Sequence, residues 1–416
     1  MKRELIAPNV HLTQLPNDKF KRNRLSITLI LPNEREKATM YALLPGLLER
    51  AYEDYPTLQR FSRKLNRMYA AQMMVGTSVV GGNRCLRFTA QGIKNEYCIE
   101  GEDLLLEMCS VLLGVMFRPC LENGAFIEEW LQIEKYKLRE EIEGEINDKR
   151  GYCVKNARRK FFGDHLNGVE RLGYLEEIDS ITPQQLYDCY TRLLEKAVVE
   201  IFITANNADT AAEKLKQAFG YKKDGVTKIL PVTAMPCTEV QTYNETMDTT
   251  QGKICLVYTT QRLLTEEERY HMLVASALFG GTASSRLFKN VREKQSLCYY
   301  CAAGFNGFTS SMSVDSGVEH QNTQRTIDAI QYELDALIHG EITDQEIRET
   351  QLTISNSLKA NYDGLHGLEA WYLNEAIRGS EMTPEMVIEK ANRVTAQDIK
   401  NVLKLLNLNV IYTISK

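Results

Sequence analysis

Four stretches of this chain combine residue types and spacing that could do chemistry. Cys298 and Cys301 stand three apart. Such a thiol pair is redox-active when its leading cysteine opens a helix. Here the flanking run reads as a strand, in which alternation sends the two sulfurs to opposite faces, so packing is expected instead. The six histidines, His11, His165, His271, His320, His339 and His366, offer metal donors. A helix-borne zinc site needs two imidazoles four residues apart on one face. The nearest pair here, His320 and His339, lies 19 residues apart, so no such pair exists. His271 falls within an apolar helical run and reads as a packing residue. GFNGFTSS, beginning at Gly304, is glycine-rich, but no Lys-Ser/Thr follows as a phosphate cradle requires, and it reads as a hairpin connection. The fourth stretch, LFGGTASSRLFKNVREKQSLCYY (278–300), sets Gly280-Gly281 ahead of a basic amphipathic run, with Arg292 seven residues before Tyr299.

The elements that must position these residues repeat. ITPQQLYDCYTRLLEKAVVEIFIT (181–204) and VTAQDIKNVLKLLNLNVIYTIS (394–415) each open on a threonine cap, Thr182 or Thr395. Gln185 or Asp398 completes a capping-box pattern three residues on, an apolar helical stripe follows, and a β-rich strand ends the unit. The caps lie about half a chain apart, a period that means two homologous domains rather than a solenoid. LTEEERYHMLVASALFGG is a capped helix (Thr265, Glu268) ending at Gly280, and YALLPGLLERAY (41–52) holds the matching place in the first half. The strand CLRFTAQGI (85–93) likewise matches SMSVDSGV (311–318). The expected class is α+β, two homologous domains, each a mainly antiparallel sheet with helices packed on one face. The domains span 1–221 and 239–416, joined by a linker at 222–238 that carries two prolines and lacks helical period.

Composition narrows the classes. With 44% hydrophobic and 25% charged residues, the chain is that of a soluble globular protein, and its net charge of −5 gives no reason to expect nucleic acid or an anionic membrane. No apolar run is long enough to span a bilayer, and MKRELIAPNVHL has no signal-peptide core. The ten irregularly spaced cysteines then read as reduced thiols in a cytoplasmic protein.

The opening stretch NDKFKRNRLSITLILPNEREKATMYALLPGLLERAYEDYPTLQRFSRKLNRMYAA, the segment INDKRGYCVKNARRKFFG (146–163) and the 278–300 stretch together resemble the insulinase/pitrilysin superfamily of zinc peptidases. The likeness is nearest to the bacterial branch of mitochondrial-processing-peptidase-like pairs, and covers both halves. Active members carry His-x-x-Glu-His on the first long helix, where two histidines hold zinc and the glutamate activates its water. Counted from Tyr55-Pro56, the motif falls on Ala42-Leu43-Leu44-Pro45-Gly46, which supplies none of the three side chains. A distal glutamate ligand falls in FIEEWLQIEKYKLREEIE, near Glu128, Glu129 or Glu134. Without the histidines these read as a solvated helix face.

The resemblance also implies a use for Arg292 and Tyr299. In the family's peptidases an arginine and a tyrosine seven apart, from the second domain, hold a substrate carbonyl and stabilise the oxyanion. In heterodimeric members one subunit carries the histidines and the other this pair. The resemblance therefore implies a non-catalytic subunit that binds no zinc itself. Its partner would be a His-x-x-Glu-His chain carrying zinc, and the substrate a peptide. Gly280 and Gly281 stand where such subunits place a substrate-contacting glycine loop, much shortened here. The alternative is a self-associated peptide-binding scaffold. Independently of either, Arg292 can be read as a surface cation paired with Glu293 or a neighbouring acid, and Tyr299 or Tyr300 as plain strand residues; Tyr300 is one residue out of the matched spacing and faces the opposite side of a strand.

Overall fold

The computed structural model describes residues 2–222, 228–230 and 232–416. Part of the expected 222–238 linker, at 223–227 and 231, lies outside the described residues. The chain forms two compact units. Unit 1 comprises Met1–Glu143, Val169–Leu230 and Leu365–Ile377; unit 2 comprises Gly144–Gly168, Pro231–Gly364 and Arg378–Lys416.

Unit 1 is built on strands β1 (Lys2–Ala7), β2 (Val10–Leu15), β3 (Arg22–Pro32), β4 (Gln72–Val80), β5 (Asn83–Ile93) and β6 (Val198–Thr204), ordered β1-β2-β6-β3-β5-β4. Unit 2 uses β7 (Gln241–Thr246), β8 (Gly252–Thr259), β9 (Cys298–Asn306), β10 (Ser311–Val318) and β11 (Asn407–Ser415), ordered β9-β10-β8-β11-β7. Each sheet is antiparallel except for one pair, β2 with β6 and β7 with β11. Those parallel pairs occupy corresponding places, and β6 and β11 are the two strands read from the sequence repeat. The fold is the expected α+β class with two like sheets.

The helices that bear on the site are α1 (Ala38–Leu48), α2 (Glu128–Gly144), α3 (Lys149–Phe162), α4 (Pro183–Lys196), α5 (Glu266–Ser276), α6 (Leu365–Arg378) and α7 (Ala396–Leu403). The capping boxes of α4, α5 and α7 form as read, at Thr182/Gln185, Thr265/Glu268 and Thr395/Asp398. Each fixes a helix start immediately before a buried apolar stripe.

The core of unit 1 sets Leu25, Ile27 and Leu29 of β3 beside Phe88 and Ile201, under Leu44, Leu112 and Leu186 from its helices. In unit 2, Ile254, Leu256 and Tyr258 do the same with Met272, Ile330 and Ile399. An additional helix covers each sheet's second face. On unit 2 it is α3, whose Cys153, Ala157, Phe161 and Phe162 bury the alternate β8 residues Cys255 and Val257. On unit 1 it is α6, which reaches its sheet by charge. Glu369 accepts from Arg24 at 2.6 Å and lies 3.5 Å from Arg87, and both Arg24 and Glu369 are buried. Because both faces are covered, β3 and β6 are buried along nearly their whole length rather than in alternation.

Candidate functional site

Helix α1 places the expected metal positions at its C-terminal half. The turn remains helical through Pro45, whose carbonyl accepts the Glu49 N–H at 3.0 Å. Ala42, Pro45 and Gly46 present a methyl, a pyrrolidine ring and a hydrogen, none of which can ligate a cation. The space a side chain at 46 would need is taken by Glu134 of α2, whose Oε2 would overlap a Cβ on Gly46. Glu134 is 8% exposed, and it is answered inside the unit. Its Oε1 accepts from Arg50 Nη2 at 3.1 Å and Lys137 Nζ at 2.9 Å, while the Arg50 guanidinium lies 5.8 Å from the Trp130 ring centre.

This overturns the reading of Glu134 as part of a solvated helix face. A carboxylate is buried where the glycine leaves room, and the charge it needs comes from arginine and lysine. A neighbouring carboxylate, Glu49, accepts the backbone N–H of Val75 on edge strand β4. Burial raises the Glu49 carboxyl above its ordinary value, with Glu134 adding to the rise and the Val75 N–H opposing it. The residues at the family positions therefore do not fit a zinc ion. Among the described residues no three His, Cys, Asp or Glu side chains gather as a metal site would require.

In unit 2 the other expected residues sit on a differently built segment. After α5 the chain continues through two wide helical turns, Ala277–Gly281 and Leu287–Lys294, the second closed by an i→i−5 bond from Gln295 N–H to Asn290 O at 3.2 Å. Such π-type turns recur at functional sites. Gly280 is buried: a Cβ there would stand 2.6 Å from Ala303 of β9, so its missing side chain lets the turn lie against the strand. Gly281 is exposed at the end of the same turn. The polar residues between are committed to anchoring the segment. Arg286 Nη2 donates to Glu346 Oε2 at 3.0 Å, Lys289 Nζ lies 3.5 Å from Glu349 Oε2, and Asn290 donates to the buried Glu333 at 2.7 Å.

Arg292 has no such commitment. It is exposed, its guanidinium lies 4.6 Å from the Phe288 ring centre, and no acid pairs with it among the described residues, Glu293 included. Ser296, with φ of 51°, turns the chain out of the helix, and β9 begins at Cys298. The β9–β10 register then shifts. Cys298 pairs with Val318 but Tyr300 with Gly317, leaving Tyr299 as the extra residue of a β-bulge. Tyr299 is 50% exposed, whereas Tyr300 packs on the other side, its ring over Gly317 and 4.3 Å from the Arg150 guanidinium.

The bulge also corrects the reading of the cysteines. One inserted residue reverses the alternation, so Cys298 joins Cys301 on the face packed against the unit 2 core. The nearby Cys301 thiol, with help from Ser316 and Arg292 and against burial, holds the Cys298 thiol below its ordinary value, at about 7. Cys301 is pushed the other way by Cys298 and by its own burial. Of GFNGFTSS, only 307–310 form the β9–β10 hairpin connection; Gly304, Phe305 and Asn306 end β9 and Ser311 opens β10.

A family model described as the peptidase M16 inactive domain matches residues 180–353, a span that includes Gly280, Gly281, Arg292 and Tyr299. The probable inactive metalloprotease YmfF of Bacillus subtilis (strain 168) is 25% identical over 397 residues, 95% of this chain and 93% of that protein. The chain is thus similar to the M16 peptidase family along nearly its whole length. This is the insulinase/pitrilysin group that its sequence resembles. A crystal structure of a conserved protein from Enterococcus faecalis V583 matches 100% of this chain and 98% of that one at 26% identity, with a TM-score of 0.90. The peptidase M16 inactive domain from Pseudomonas fluorescens shares the fold at 13% identity, with 99% and 97% coverage and a TM-score of 0.79.

Within the M16 frame, the α1 region can hold charge in place but has no nucleophile or metal donor aimed at a substrate. The exposed arginine and tyrosine of unit 2 can donate hydrogen bonds to a carbonyl or an oxyanion. Sequence reasoning missed Arg50 as the partner of Glu134, which lies 84 residues away and is brought to it only by the packing of α2 on α1. No helix among the described residues is long and apolar enough to cross a membrane.

Proposed function

We propose that this chain is the non-catalytic, substrate-binding subunit of a heterodimeric M16 peptidase in the cytoplasm. A partner bearing His-x-x-Glu-His carries the zinc, and this chain contributes Arg292 and Tyr299 to the shared peptide-cleavage site. One observation carries the reading: neighbouring polar residues of the segment are tied into unit 2, whereas Arg292 and Tyr299 are exposed and uncommitted. On a bound peptide, Arg292 would donate to a backbone carbonyl. Tyr299 would donate to the oxygen that gains charge as the carbonyl becomes tetrahedral, a contact worth more in the transition state than in the ground state. Gly281, exposed, would leave the approach to this segment open. The test is to mix the chain with a zinc-bearing M16 subunit and follow cleavage of a fluorogenic peptide. Turnover above that of the partner alone supports the proposal, and no gain refutes it.

A second reading is a stand-alone peptide-binding homodimer. Its motive is that β4 and β9 are edge strands, each with one side not paired to another strand, which an extended peptide could join by backbone hydrogen bonds. Sedimentation with and without the zinc-bearing subunit separates the two. A tight homodimer that ignores the subunit favours the second reading.

A further inference from the structure

We infer that Cys298 and Cys301 form a peroxide-oxidisable dithiol on β9, with Cys298 as the attacking sulfur and Cys301 as the resolving one. The bulge at Tyr299 sets both side chains on one face of the strand, against the unit 2 core. Their environments suit different roles. Cys298 is only half-buried at the start of the strand, open to a small oxidant, and the Arg292 guanidinium is near enough to favour its thiolate. Cys301 is 4% exposed and stands behind it. The other close pair of thiols, Cys153 and Cys255, is sealed beneath α3, with both residues buried. Cys237 is exposed and forms no disulfide. Only at β9, among the described residues, do a reachable sulfur and a neighbouring second sulfur coincide.

The chemistry needs a hydroperoxide as oxidant. The Cys298 thiolate attacks one peroxide oxygen, the O–O bond breaks, and hydroxide leaves, giving a sulfenic acid on Cys298. The Cys301 sulfur then attacks the Cys298 sulfur, the S–O bond breaks, and the displaced hydroxide takes the Cys301 proton as water. Two thiols lose two electrons and two protons, and one hydrogen peroxide becomes two waters. A dithiol reductant reverses the result. Because Tyr299 is the bulge residue between the two, the bridge must reshape the backbone that carries it. That consequence, unlike the oxidation, rests on the shared-site reading.

The experiment exposes the full chain to one equivalent of hydrogen peroxide at pH 7, blocks remaining thiols with N-ethylmaleimide, and maps the peptides by mass. The expected result is a bridge between Cys298 and Cys301, formed about tenfold faster than the solitary Cys237 is oxidised, since Cys298 has a second thiol beside it and a guanidinium that favours its thiolate. Cys301→Ser should leave a sulfenic acid on Cys298 that dimedone traps, and Cys298→Ser should abolish the bridge, with both variants melting as the parent does. The proposal is overturned if Cys298 reacts no faster than Cys237, or if the pair stays reduced while other cysteines oxidise. Peptide turnover of the oxidised heterodimer is a separate readout. A bridge that forms without changing turnover leaves the thiol site standing and counts against the role of Tyr299.

Discussion

The C-terminal half of α1 and the segment from Leu287 to Tyr300 are the two places where an M16 chain would be expected to do chemistry, and they handle charge in opposite ways. At α1 the charges are answered from within. Glu134 fills the room left by Gly46, and Arg50 and Lys137 neutralise it. In the second region Arg286 and Asn290 are tied to Glu346 and Glu333, while Arg292 and Tyr299 stay in solvent. A buried charge cluster that satisfies itself holds structure and offers a ligand nothing. An exposed donor pair on an anchored segment contributes little to stability and is free to act on something else. The contrast separates effects on turnover from effects on folding, and mutations in each region should fall on different sides of it.

The largest effect is expected on turnover. In the mixed heterodimer, Tyr299→Phe should lower kcat/KM about 100-fold or more, the usual loss when one donor to a developing oxyanion is removed, and Arg292→Ala should lower it about as far by freeing the substrate carbonyl that positions the peptide. The melting temperature should stay within about 1 °C of the parent, because neither side chain is tied into unit 2. A fall in turnover matched by a fall in melting temperature would break the comparison, since the pair would then be structural.

The reverse pattern is expected for Arg50. Arg50→Ala leaves a mostly buried carboxylate with only the exposed Lys137 to answer it, and should cost about 2–3 kcal/mol. Calorimetric melting checks the loss, and adding Glu134→Ala should recover part of it, because the two changes share one interaction. Full additivity of the two would show that the pair carries no coupling. A smaller loss is expected from Gly46→Ala. Alanine favours the helix by about 1 kcal/mol, but its Cβ displaces the Glu134 carboxylate from Arg50, for a net cost of about 1–2 kcal/mol. The same collision explains why restoring a histidine at 46 would not by itself rebuild a metal site.

Much of this is legible in the sequence, and what is not has a physical reason. The capped helices and paired strands can be read because caps, apolar period and alternation are local signals, and the half-chain repeat places β6 and β11 in equivalent positions. The missing metal donors are legible from the spacing of six histidines. The fate of Glu134 is not, because its partner Arg50 lies 84 residues away, and such a pairing leaves no trace in periodicity. The shared face of Cys298 and Cys301 escapes the alternation rule because the bulge at Tyr299 is a property of the β9–β10 register rather than of any residue type. The helix-on-sheet packing of α3 and α6 is likewise hidden, since each helix belongs by contacts to the unit built mainly from the other half of the sequence.

The smallest effect sharpens the α1 side of the contrast. Burial holds the Glu49 carboxyl above its ordinary value in the folded chain, so ionised Glu49 subtracts from stability at neutral pH. As the pH falls through the raised folded value, the native state takes up the proton first and the penalty is relieved, disappearing below the ordinary carboxylate value of about 4.5. Glu49→Gln keeps a carbonyl oxygen for the Val75 N–H and removes the charge beside Glu134. It should therefore raise the melting temperature slightly at pH 7.5, by less than about 2 °C, with the advantage shrinking toward pH 4.5. Paired melts across that range decide the matter. A variant less stable than the parent at pH 7.5 would mean that the charged hydrogen bond to β4 outweighs the burial of the carboxylate, and that Glu49 is a strap on the edge strand rather than a strained charge.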